Sequence, residues 1–127
     1  MRRPWATEIE TFALSATDLI ETFSAARANF ARAERRRLDA EFHAACHAVE
    51  NLRNTIFTRF SDELETISTD RLRGIVAHGT RDLAHWFPHD LADTMTQMAK
   101  YQLEARDRAA QSVQEQIAEL KTLILVT

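Results

Sequence analysis

Residues 5–30 read WATEIETFALSATDLIETFSAARANF, and their apolar positions decide the class of the fold. Trp5, Ile9, Phe12, Ala16, Leu19, Phe23, Ala26 and Phe30 recur at steps of four and three, the repeat of one helix face packed along its length. Pro4, just ahead, suits a first helical position, where its missing N–H has no partner to lose. The stripe loses its apolar residues across Ala31-Arg32-Ala33-Glu34-Arg35-Arg36-Arg37. It resumes in a shifted phase at Leu38, Phe42, Ala45, Val49, Leu52, Ile56 and Phe60. Neither glycine nor proline interrupts it there, so one helix with a stutter is one reading. A turn near 33–37 is the other. It is preferred because an unbroken helix over 5–60 would run roughly 80 Å, awkward for a compact domain.

Further along, Ser61-Asp62-Glu63 and Ser68-Thr69-Asp70 each join a capping residue to acidic followers, so a helix start is expected at both. A short helix then carries Leu72-Arg73-Gly74-Ile75-Val76-Ala77-His78 and ends at Gly79, a natural C-terminal residue. Residues 79–88 read as a connection closed by Pro88. A last helix runs from about His89 to Leu125, with Leu91, Met95, Met98, Ala105, Val113, Ile117, Leu120 and Ile124 as its stripe. Two glycines and two prolines in 127 residues leave little material for turns, and β-branched runs are nearly absent. The expectation is a single all-α domain over 1–127, an antiparallel helical bundle of about four helices with a long C-terminal helix.

Composition bounds the function. Apolar residues make up 45% and charged residues 28%, a soluble globular balance. A net charge of −3 excludes global attraction to nucleic acid, so any such contact needs a local basic patch. The lone Cys46 excludes an internal disulfide and suits a reducing, cytoplasmic setting; Met1-Arg2-Arg3-Pro4 opens no secretory pattern. The longest apolar run, Leu123-Ile124-Leu125-Val126, is too short for a transmembrane segment. The apolar end at 120–126 stays uncovered on a monomer and leads us to expect a homodimer.

Chemistry concentrates where Gly74 and Gly79 bracket Arg73 and His78. An arginine offers a planar cation to a phosphate oxygen, and a histidine moves protons near neutral pH. That pair suffices for metal-independent RNA cleavage, in which the 2′-OH attacks its own phosphate. A surface arginine and a helix-terminal histidine facing the last carbonyls is the plainer reading. Arg71 and Arg81 flank the pair as binding candidates, diluted by Asp70 and Asp82. Arg35, Arg36 and Arg37 form a second basic run. No aromatic residue interleaves with these arginines, so a stacking surface for single-stranded RNA is not visible.

Leu72-Arg73-Gly74-Ile75-Val76-Ala77-His78-Gly79 resembles the signature of HEPN domains, a small all-helical family found in RNA-cleaving toxins and defence proteins. Phe87-Pro88-His89-Asp90-Leu91 leading into a final helix resembles the family as well. So does Glu41-Phe42-His43-Ala44-Ala45-Cys46-His47-Ala48-Val49-Glu50-Asn51-Leu52, with its glutamate near mid-helix. The likeness spans roughly 38–105, and only the arginine-to-His-Gly core is specific. Gly74 stands where a polar residue usually follows the arginine. The resemblance implies catalytic Arg73 and His78, RNA as partner, no cofactor, a homodimer pairing two sites across a cleft, and a protein partner such as an antitoxin.

Other constellations compete with it. His43 and His47 lie one turn apart with Glu50 following, and His85 and His89 are also four apart, but Pro88 falls inside the second pair; no metal is assigned. His78 as a phosphoacceptor is poorly supported by Gly79-Thr80-Arg81-Asp82. A non-enzymatic reading competes more strongly. The stretch from Leu91 to Leu120 loosely resembles a phasin, a helical coat protein, and its stripes would then cover a hydrophobic surface or a partner helix.

Overall fold

A computed structural model of the chain describes residues 4–37 and 39–126, and nearly all of them are helical. Met1, Arg2, Arg3, Thr127 and Leu38, which was expected to open the second stripe, lie outside the described residues, as does the side chain of Val126. The all-α expectation holds: among the described residues there are six helices and no strand. The helices number six where about four were expected, and two local effects account for the difference.

The first effect is at Ala16. The stripe over 5–30 is divided between α1 (Pro4–Ser15) and α2 (Thr17–Arg36), because Ala16 leaves helical geometry at φ −105° and ψ 12°. Ser15 Oγ donates to the Phe12 carbonyl at 2.7 Å and Thr17 Oγ1 to the Leu14 carbonyl at 3.0 Å. Hydroxyls on both sides of the joint thus compete for the preceding turn's carbonyls, which bends helices. The second effect is at Gly79. It keeps right-handed backbone (φ −80°, ψ −14°), its N–H bonds to the Ile75 carbonyl and its own carbonyl accepts from Leu83, both at 2.8 Å. The chain therefore turns without unwinding. Residues 79–88, expected as a connection, instead hold α5 (Thr80–Trp86), seated by the buried Leu83.

The open question at 33–37 resolves to a turn. Arg37 adopts the left-handed conformation (φ 55°, ψ 41°), and its N–H reaches back to the Glu34 carbonyl at 3.2 Å. α3 (Asp39–Thr66) then returns antiparallel along α2. The start expected at Ser61-Asp62-Glu63 does not occur: these residues lie inside α3, held there because Phe60 and Leu64 are buried on either side. The start at Ser68 does occur. Its side chain accepts the Arg71 N–H at 3.3 Å and begins α4 (Thr69–His78). Phe87 is extended ahead of Pro88, as residues before proline tend to be, and α6 (His89–Val126) follows.

Packing sets the directions. Phe12 places its ring 5.3 Å from Phe60 and 5.9 Å from Phe87, joining α1, α3 and the turn before α6. Arg27 of α2 grips Asp90 in the first turn of α6 with two bonds of 3.1 and 2.7 Å. Burial raises the Asp90 carboxyl, but the Arg27 hydrogen bond and charge, with backbone N–H bonds, outweigh it and leave the carboxyl below its usual value. At the other end Arg106 of α6 reaches the end of α3. Its guanidinium donates to the carbonyls of Leu64 at 2.6 Å and Ile67 at 2.9 Å, and to Thr69 Oγ1 at 3.2 Å. With these two anchors α6 runs in the same direction as α3, while α4 and α5 fill the crossover between them.

Burial on α6 stops at the same place. Leu91, Ala92, Met95 and Ala99 are buried, Leu103 and Arg106 are half-buried, and every residue from 107 to 125 is exposed. Arg106 is thus the last residue of the helix with any burial against the bundle. Truncating it in Arg106→Ala leaves the final carbonyls of α3 without their charged donor. The expected loss is about 1.5–3 kcal/mol, the range for hydrogen bonds to charged groups. Thermal unfolding followed by circular dichroism should show a midpoint lower by several degrees; an unchanged midpoint would remove Arg106 from the account of the fold.

Candidate functional site

The stretch 72–79 lies on α4, which packs between α1 and α6. Its side chains divide by helical face. Arg71, Gly74 and His78, spaced three and four apart, all meet α1. Arg71 pairs with Glu8, Gly74 lies under the Trp5 ring, and the His78 ring centre is 5.3 Å from that of Trp5 at a tilt of 34°. Arg73 points elsewhere, toward α6, where Nη2 lies 3.0 Å from Asp107 Oδ1. Five residues on a helix turn through roughly 140°, so the two proposed catalytic groups leave the helix on divergent faces. Both are exposed. Each already has a neighbour: a carboxylate for Arg73, an indole for His78.

Gly74 has a structural reason. A Cβ built on it would stand 2.4 Å from Trp5 Cε3 and 2.8 Å from Cδ2, so any side chain there must displace the Trp5 ring. The residue standing where the HEPN pattern usually has a polar group is therefore needed bare to seat the Trp5 ring of α1 on α4. Arg81 is exposed on α5, beyond the Gly79 turn. The basic run Arg35, Arg36 and Arg37 lies at the far tip of the α2–α3 hairpin. It is about 40 Å from the Arg106 end of α3, the length of that helix at 1.5 Å per residue. The two basic regions do not form one surface.

The two histidine pairs do not converge either. His43 and His47 are exposed on α3, and His85 and His89 are divided between α5 and α6. Among the described residues no group of three His, Cys, Asp or Glu side chains is placed to hold an ion. A groove of about 400 Å³ lies between α2 and α3, lined by Arg27, Phe30, Glu34, Cys46, Glu50 and Arg53 among others. It is far from α4, and its mixed charges suit no single ligand class.

What sequence reasoning did not anticipate is the extent of the uncovered helix. The stripe residues Val113, Ile117, Leu120 and Ile124 belong to no core; they are 54, 45, 59 and 72% exposed. With Ala110 they step by three and four, the seam of a coiled coil, and Gln111, Ser112, Glu115, Glu119 and Thr122 occupy the positions away from it. The signal in the sequence was the step from Met95 to Ala99 to Leu103, two fours in succession, where the bundle-facing stripe gives way to the seam. No described helix is long and apolar enough to cross a membrane.

No known protein family, curated protein or solved structure matches the chain.

The geometry at Gly74 makes a signed expectation. In an exposed helix Gly→Ala stabilises by up to about 1 kcal/mol. Here Gly74→Ala should instead destabilise by about 1–3 kcal/mol, the usual size of overpacking. In a Trp5→Ala background the same change should become neutral or stabilising. Unfolding midpoints of the four proteins in this cycle measure it, and a stabilising Gly74→Ala in the native background would contradict the Trp5 contact.

Proposed function

We propose that this chain is a non-enzymatic helical association module, a homodimerising scaffold in which the bundle holds the free half of α6 as its binding element. The observation that carries this reading is the uncovered seam of Ala110, Val113, Ile117 and Leu120 on a stretch where every residue from 107 to 125 is exposed. Contiguous apolar surface of this kind marks association, and a heptad seam is shaped for another helix. The bundle supplies what an isolated segment lacks. A helix of this length is marginal alone in water, but here its first turns are already formed and fastened by Arg106.

In sedimentation equilibrium the full chain should associate at micromolar concentration. Replacing Val113, Ile117 and Leu120 together by serine should raise the dissociation constant a hundredfold or more, since each buried aliphatic contributes on the order of 1.5–3 kcal/mol. A wild-type chain that stays monomeric through that range contradicts the reading.

The exposure of Arg73 and His78 favours a second reading, the HEPN-like one, with RNA as substrate, the cytoplasm as setting and an antitoxin-like protein as inhibitor. In it the 2′-OH attacks the adjacent phosphate, His78 moves a proton at the reacting oxygens, and Arg73 stabilises the phosphate charge, with Arg71 and Arg81 contacting flanking phosphates. It ranks second because Arg73 is neutralised by Asp107 and diverges from His78. Purified protein with total RNA in a chelator should leave cyclic phosphate ends if this reading is right. His78→Ala should slow cleavage about a hundredfold, and Arg73→Lys should also be damaging. RNA left intact by the wild-type chain, or variants as fast as wild type, would sink it.

A further inference from the structure

The flanks of the seam carry orientation. With Ala110, Ile117 and Ile124 as the a positions and Val113 and Leu120 as d, the e positions are Asp107, Gln114 and Lys121, and the g positions are Ala109, Gln116 and Leu123. Charge therefore lies on one flank alone, acidic at the base of the free helix and basic toward its tip. A parallel pair would set g against e: Ala109 against the partner's Gln114, and Gln116 against the partner's Lys121. No opposite charges meet in that arrangement. An antiparallel pair sets e against e, which brings Asp107 to the partner's Lys121 at both ends and Gln114 to the partner's Gln114 in the middle.

We infer that two copies of this chain pair antiparallel through the free halves of α6, about an axis at the level of Glu115, so that the partner's Lys121 completes a charge cluster with Arg73 and Asp107. This rests on the association reading above and adds orientation and register to it. In this register Val113 packs on the partner's Ile117 and Ala110 on the partner's Leu120, with the reverse contacts made by symmetry. Ala109 meets the partner's Leu123 on the uncharged flank. One heptad further out, Lys121 faces the partner's Gln114 and Asp107 is left out of the contact. One heptad further in, Ile117 falls against the partner's Arg106, whose guanidinium is committed to the end of α3. The chosen register also centres the contact within the exposed stretch 107–125. Overlap of the two free halves extends about 28 Å, roughly five turns, after which each tip reaches the other bundle.

Asp107 gives the arrangement its link to α4. Its Oδ1 accepts from Arg73 at 3.0 Å, and both side chains are about half exposed (51 and 53%), so a second cation can approach the same carboxylate. The partner's Lys121 thus arrives at the one place where the free helix, α4 and the bundle meet. Exposed ion pairs contribute little singly, but two symmetric pairs beside an apolar seam suffice to choose between orientations.

The test uses the full chain with Cys46→Ser and a spin label on Leu125→Cys, beyond the bundle. Pulsed electron resonance should give a tip-to-tip distance near or above about 30 Å, since levels 125 and 105 coincide in the antiparallel pair. Separately, Lys121→Glu should weaken the dimer about tenfold, and adding Asp107→Lys should restore it. Adjacent tips, closer than about 20 Å, would overturn the antiparallel orientation while leaving association through α6 in place. A dimer whose charge reversal is not rescued would overturn the register. Absence of any wild-type dimer would overturn the association reading itself, and this inference with it.

Discussion

The contact between Arg106 and the end of α3 is the constraint on which the shape of this molecule depends. A helix leaves its last carbonyls without partners, and here the carbonyl of Leu64, in the last turn of α3, and that of Ile67, just beyond it, accept from Arg106 in part-buried bonds. A guanidinium is the side chain able to serve several such acceptors at once, because its donors are planar and fixed. Supplying it from α6 couples three elements: the end of α3, the start of α4 through Thr69, and the long final helix. It also marks where burial of α6 ends. One residue later, at Asp107, the helix is in solvent.

That division separates two kinds of helical sequence which look alike in a linear reading. Before Arg106, α6 buries Leu91, Met95 and Ala99 against the bundle; after it, Val113, Ile117 and Leu120 repeat at similar spacing with nothing against them. Periodicity establishes that a face is apolar. It does not establish what covers that face. The sequence therefore predicted the last helix and its stripe with accurate ends, and even that its apolar terminus would be uncovered. It could not place the boundary, because the boundary is made by a side chain with no apolar signature.

The same limit applies at the joints. The turn near Arg37 and the helix start at Ser68 were legible, the first from the loss of apolar residues and the second from its cap chemistry. Ser61-Asp62-Glu63 carries equally good cap chemistry and lies within α3, because Phe60 and Leu64 are both buried and hold that turn helical. Ala16 and Gly79 went the other way. One is a good helix former standing at a break, forced by hydroxyls on either side; the other is a helix-ender that continues the helical path. In each case a contact distant in sequence, or a side chain competing for a carbonyl, outweighed local preference.

Gly74 shows how such a contact bears on function. Its bare backbone admits Trp5, and Trp5 then covers one face of α4, that of Arg71 and His78. Because α1 takes that face, α6 takes the one carrying Arg73, and Asp107 lies opposite it. The arginine and histidine that look like a pair in the sequence are thus assigned to different neighbours by the same packing that requires the glycine. A composite site built from both would need a surface from outside the protomer to face them together. The antiparallel pairing proposed for α6 would bring a partner to Arg73 and Asp107, at the base of the free helix, and would leave His78 on the α1 side. Dimerisation by that route would serve the scaffold reading and would not assemble the catalytic one.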